Sequence, residues 1–123
     1  MYDLENSDFL KSGRKPVSKI LAIGDPREWE DRDRIFPDAK DMSFLNFEKF
    51  DEAALDHYQP HSIYSQVLTP NFDCVELAVL LQNLAFDGIY KAFGRNLPKP
   101  KLVEREVRQS CPGVNFEVVQ LTT

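Results

Sequence analysis

Lys91, Arg95, Lys99 and Lys101 crowd one short stretch of the chain, just before a helix that Pro100 would open. Cations beside the free amides of a helix N-terminus can hold an anion or a phosphate. The stretch lacks the Gly-rich loop that cradles phosphates, so a solvated basic loop in an acidic chain is the competing reading. His57 and His61 flank Pro60 and invite a ligand-pair reading. One falls at the end of a helix and the other opens a strand, so they diverge, and no third metal ligand accompanies them. Cys74 stands in the first turn of a helix, where the dipole favours a thiolate, and Cys111 closes an apolar helix face. Both also suit the role of small buried hydrophobes. The acids from Glu28 to Asp33 alternate with Arg32 and Arg34, which makes a self-neutralising surface rather than a metal cluster. These residues imply neither a metal nor a cofactor.

Alternating apolar runs and helical patterns must position those side chains. Val17 to Ile23 (VSKILAI) is a short, nearly continuous apolar run that ends at Gly24-Asp25 and predicts a buried strand. Pro26 is a good first helical residue, and Arg27 to Phe36 predicts a short, very polar helix stopped by Pro37. Met42 to Phe47 predicts a second strand. Asp51 then caps a helix over Glu52 to Tyr58 that turns Ala53, Ala54 and Leu55 inward. Ser62 to Leu68 predicts the third strand. The helix over Asp73 to Phe86 repeats Leu77, Leu80, Leu81, Leu84 and Ala85 at helical spacing and is stopped by Asp87-Gly88. Ile89 to Phe93 predicts the fourth strand. Pro100 to about Cys111 predicts a helix with Leu102, Val103, Val107 and Cys111 on one face, and Val114 to Leu121 predicts a fifth strand.

Strands that alternate with helices through short loops specify a parallel sheet, because each crossover returns along a face of the sheet. Right-handed crossovers leave few topologies. The expected fold is an α/β three-layer sandwich around a five-stranded parallel sheet in the flavodoxin-like order 2-1-3-4-5. Residues 1–16 read as a polar N-terminal tail and 17–123 as the domain. In such folds ligands gather at the carboxyl ends of the strands, here Gly24, Asp25, Gln66 to Thr69 and Phe93 to Asn96.

The 123 residues suffice for one domain, and 42% hydrophobic with 28% charged residues is ordinary for a globular chain. A net charge of −5 argues against nucleic acid, whose phosphates need a basic face. No apolar run reaches the ~18 residues of a membrane span, and the acidic start, Met1 to Ser12, has no signal-peptide core. A cytoplasmic location is the expectation.

The stretch from Pro60 to Leu77 resembles the third strand and following loop of response-regulator receiver domains, with Pro60, Ile63, Pro70, Asp73, Glu76 and Leu77 in place without a gap. The resemblance extends over Lys19 to Leu121 and implies a receiver fold with a phospho-site at the strand ends. The phospho-acceptor position falls on Gln66, and an amide is not a carboxylate nucleophile. Gly24 replaces the first acid of the acidic pair, and only Asp25 remains for a Mg²⁺ that wants several carboxylates. Phe93-Gly94 stands where the family has Thr or Ser, and Gln120-Leu121 where it has Lys and usually Pro. The resemblance therefore implies a degenerate receiver, without enzymatic activity, that signals by protein–protein contact. The receiver's closing helix is expected to be missing after the fifth strand. That would leave an apolar sheet face for Phe9 and Leu10, a second copy of the chain or an attached signalling domain to cover. Receivers use the last helix and strand for contact, which here means Leu102, Arg105, Val118 and Leu121. The alternative is a small flavodoxin-like ligand- or anion-binding domain, with or without catalysis, using the crevice at Asp25, Thr69 and Arg95. In that alternative Lys91, Arg95 and Lys99 supply the anion site.

Overall fold

Each short apolar run rich in Ile, Leu, Val and Phe becomes a strand, and each segment with a capping acid or an opening proline becomes a helix. The structure is a computed structural model that describes residues 19–29 and 42–121. The elements are β1 (Ile20–Ile23), β2 (Met42–Leu45), α1 (Glu52–Tyr58), β3 (Ser62–Gln66), α2 (Cys74–Asn83), β4 (Ile89–Arg95), α3 (Pro100–Ser110) and β5 (Asn115–Leu121). Single 3-10 turns form at Pro26–Glu28 and Phe47–Lys49. The tail expected over 1–16, residues 17–18 of the first strand and residues 30–36 of the polar helix lie outside the described residues. Phe47, expected to end the second strand, begins a 3-10 turn instead, because Phe50 donates back to its carbonyl at 3.0 Å.

The five strands pair entirely in parallel in the order 2-1-3-4-5, the flavodoxin-like arrangement. Registry aligns Leu21, Ile63, Tyr90 and Phe116 across four strands, and all four are buried. With Ile23, Ala92 and Val118 they form one face of the sheet. Leu77, Ala78 and Leu81 of α2, Val107 of α3 and Cys111 pack with that row. Burial of this kind contributes about 1.5–3 kcal/mol per large side chain and is the main stabilising term. The core holds an internal polar pair, a 2.6 Å hydrogen bond between the buried Ser65 and Tyr90 hydroxyls. Burial drives the Tyr90 phenol well above its ordinary range, although the bond from Ser65 opposes the shift.

Helix ends follow side-chain chemistry closely. Asp51 accepts from the Ala54 amide at 2.9 Å and starts α1, and Gln59, left-handed at φ 46°, ends it one residue before Pro60. Asp73 and Glu76 form a reciprocal capping box at the start of α2. α2 ends earlier than its apolar repeat suggests. Ala85 takes φ 57°, its amide bonds to Gln82 and the Phe86 amide reaches back to Leu81, which is a Schellman turn built on alanine rather than glycine. Ala53 and Ala85, expected inside, are exposed.

The expected face of α3 is rotated. Val103, Val107 and Cys111 pack inward at four-residue spacing, Leu102 stays 44% exposed, and Glu104 is buried in its place. The opposite face of the sheet carries both apolar and polar residues. Ala22 of β1 and Phe93 of β4 are buried on it. At the amino-terminal half of β5 it carries polar groups, where Lys91 faces Glu117 at 3.9 Å beside the exposed Asn115. With a strand period of two, this side runs Ile89, Lys91, Phe93 and Arg95 along β4 and Asn115, Glu117, Val119 and Leu121 along β5, so apolar and polar residues are mixed there. No helix of the described residues is long and apolar enough to cross a membrane.

Candidate functional site

The carboxyl ends of the strands gather the residues that the sequence singles out. Ala22 lies opposite Tyr64, so Gly24 and Asp25 emerge beside Gln66 at the end of β3. Gln66 is paired in register with Phe93, and Gly94 with Gln120. With neighbouring strands ~4.8 Å apart, Asp25, Gln66, Phe93, Gly94 and Gln120 share one rim of the sheet.

Most of that rim is committed to internal contacts. Asp25 accepts from the Arg27 amide at 2.9 Å and from its guanidinium at 3.0 Å through Nε and 2.5 Å through Nη2. These charge-assisted bonds from Arg27 hold the Asp25 carboxyl down at about 2, well below its ordinary 3.8. Gly24 has φ 136°, a backbone that a residue with a side chain rarely adopts. An acid in that position would strain the chain, so β1 presents one carboxylate and not two.

Next to it, Phe93 is buried beneath an aromatic cluster. Its ring meets Trp29 edge-on at 5.8 Å and Tyr64 at 5.0 Å, and Trp29 itself is only 2% exposed. Apolar rings thus occupy this point of the rim. Further along, Gln120 clamps the loop after β4. Its Oε1 accepts from the Leu97 amide at 3.1 Å while its Nε2 donates to the Leu97 carbonyl at 3.2 Å. Gly94 permits this closure, because a Cβ there would lie 2.9 Å from Leu97 Cδ2. Gln120 is thereby a structural amide that satisfies both polar groups of one loop residue.

The loop from Val67 to Asp73 is also tied down. The Thr69 hydroxyl donates to the Phe72 carbonyl at 2.9 Å and accepts from the amides of Asn71 and Phe72 at 3.2 and 3.0 Å. Leu68 bridges Asp73, and the Cys74 amide donates to Val67 at 2.9 Å. This rigid turn leaves the Leu68 side chain 74% exposed.

Lys91 lies on the sheet face against Glu117, and Arg95 is four residues on along β4, ~13 Å at strand rise. Lys99 occupies the N-cap position of α3 and is exposed. His57 and His61 sit at the opposite, amino-terminal end of the sheet, where His57 lines a cleft of about 340 Å³ with Lys19, Ser43, Tyr58 and Pro60. No group of three or more His, Cys, Asp or Glu among the described residues is placed to hold a metal. Burial, reinforced by the Asp73 charge, pushes the Cys74 thiol up to about 11, and burial raises Cys111 as well, so the helix dipole does not yield a thiolate.

Of the expected contact residues, Leu102 and Arg105 face solvent on α3 and Leu121 is half-buried at the end of β5, whereas the Val118 side chain belongs to the core. Sequence reasoning missed Trp29, Tyr64, Leu97 and Glu104. Tyr64 meets Phe93 through the β3–β4 register, which pairs Tyr64 with Lys91 and Gln66 with Phe93. No family model, curated protein or solved structure matches the chain.

Proposed function

We propose that this chain is a receiver-like regulatory module that works through protein–protein contact and carries no phosphoryl chemistry. The observation that carries the reading is the committed rim: Asp25 is held by Arg27, Gln120 by Leu97, and Phe93 lies under Trp29. Phosphoryl transfer to a receiver needs a carboxylate nucleophile and a carboxylate-bound Mg²⁺. Gln66 offers an amide at the nucleophile's position, and a glycine at φ 136° takes the place of the first acid of the metal-binding pair. The same commitments weigh against a ligand crevice at Asp25, Thr69 and Arg95, since the polar groups of Asp25 and Thr69 already serve their own loops.

Contact is assigned to the outward side of α3, where Leu102 and Arg105 are exposed, and to the end of β5 at Leu121. The partner is a second copy of the chain or another signalling domain. Intact-mass analysis after incubation with acetyl phosphate and Mg²⁺ tests the chemistry: the expected spectrum is unmodified protein, and a stoichiometric, hydroxylamine-labile adduct would overturn the reading. Leu102→Glu tests the contact side. Loss of association in light scattering is expected, and undisturbed association by the variant would move the interface elsewhere.

A further inference from the structure

A parallel sheet leaves its edge strands with unpaired amides and carbonyls, which act as a template for any other extended chain. β5 is one such edge, since among the described residues it pairs only with β4. Along its outer side, α3 does something unusual for a surface helix. Glu104 is 6% exposed, and its Oε2 accepts from the Val118 amide at 2.9 Å. One turn further on, Arg108 donates through Nη2 to the Phe116 carbonyl at 3.3 Å. The other carboxylate oxygen of Glu104 faces Lys101 at 3.6 Å and Arg108 at 3.9 Å. The two oxygens therefore divide their work, one on the strand and one on the cations that keep the carboxylate in place.

The two strand groups involved are not arbitrary. In a parallel ladder, one residue of a neighbouring strand donates to the carbonyl of residue i and accepts from the amide of residue i+2. Phe116 carbonyl and Val118 amide are such a pair. Arg108 supplies the donor and Glu104 the acceptor, so two side chains of α3 stand where one residue of a sixth strand would lie. We infer that Glu104 and Arg108 form an edge lock that imitates a strand residue and keeps β5 of a second copy from pairing with this β5. The occupant follows from the strand itself. β5 runs from Asn115 to Leu121 with Val118 at its centre. A two-fold antiparallel pairing centred there would place Val118 opposite Val118, using the amide that Glu104 holds. The next bond outward would join the Phe116 carbonyl to a Gln120 amide, and Arg108 occupies that carbonyl.

The lock is independent of the rim and its proposed silence, and its test reads different groups. Amide hydrogen exchange on the intact chain should show Val118 protected like the sheet interior. Glu104→Ala should speed its exchange roughly tenfold or more. Glu104→Gln keeps a carbonyl acceptor and should preserve the protection. Light scattering at rising concentration should show the Glu104→Ala, Arg108→Ala double variant at twice the mass of the wild-type species, with new protection confined to residues 115–121. Fast exchange of Val118 in the wild-type chain, or a double variant with wild-type mass and exchange, would overturn the lock. If the alanine variants do not fold, the wild-type and Glu104→Gln exchange rates decide: protection in both supports the lock, and fast exchange in the wild type removes it.

Discussion

Helices α2 and α3 cover the same face of one sheet and are held there by opposite means. α2 is fixed by apolar burial, with Leu77, Ala78 and Leu81 fully enclosed and a capping box closing its first turn. α3 has no side-chain cap, buries Val107 and the carboxylate of Glu104, and reaches the outer edge of β5 through polar bonds. The difference follows from position. A helix over the middle of a sheet meets only side chains, whereas a helix over an edge strand also meets unpaired backbone. There a charged residue with two cations beside it can do what leucine cannot, since leucine offers no acceptor to the Val118 amide.

Truncating each helix should separate the two modes. Leu81→Ala removes a fully buried side chain and should destabilise the fold by about 2–5 kcal/mol, read by urea unfolding. Glu104→Ala should lower stability by about 1–3 kcal/mol, because it strands the Val118 amide, and Glu104→Leu should not restore it. If Glu104→Leu equals or exceeds the wild type, α3 is held by apolar burial after all. Asp73→Ala opens the α2 cap for about 1 kcal/mol. Ala85→Gly should stabilise, by roughly 0.5–1 kcal/mol, since glycine relieves the left-handed strain at φ 57°. At the rim, the Asp25 carboxyl should titrate at about 2 by NMR and return towards 3.8 in Arg27→Ala. Its folded value lies below the unfolded one, so any stability it lends is present above the unfolded value and fades as pH falls towards 2.

The contrast between the helices also marks what a sequence can show. The strands, their order, the span of α1 and the start of α2 were legible because strand and helix periods bury different residues, and Asp51 and Asp73 announce their caps. The buried Glu104 was not legible. Its position among Val103, Val107 and Cys111 looks like a break in an apolar stripe, and only the location of β5's free edge gives that break a purpose. The same holds for Gln120, whose grip on Leu97 joins residues 23 positions apart. Gly24 illustrates the middle ground: a glycine beside Asp25 was visible in the sequence, but the positive φ that it adopts belongs to the fold. Local patterns specify elements, while the use of polar residues at edges depends on which elements become neighbours.

The committed rim is the claim on which the proposed function rests, and a titration reads it directly. Amide resonances of the ¹⁵N-labelled chain would be followed while Mg²⁺ and beryllium fluoride, which mimics an acyl phosphate, are added. Unmoved signals for Gly24, Asp25, Gln66 and Gly94 are expected. Saturable shifts at those amides, spreading to Leu97 as Gln120 lets go, would contradict it.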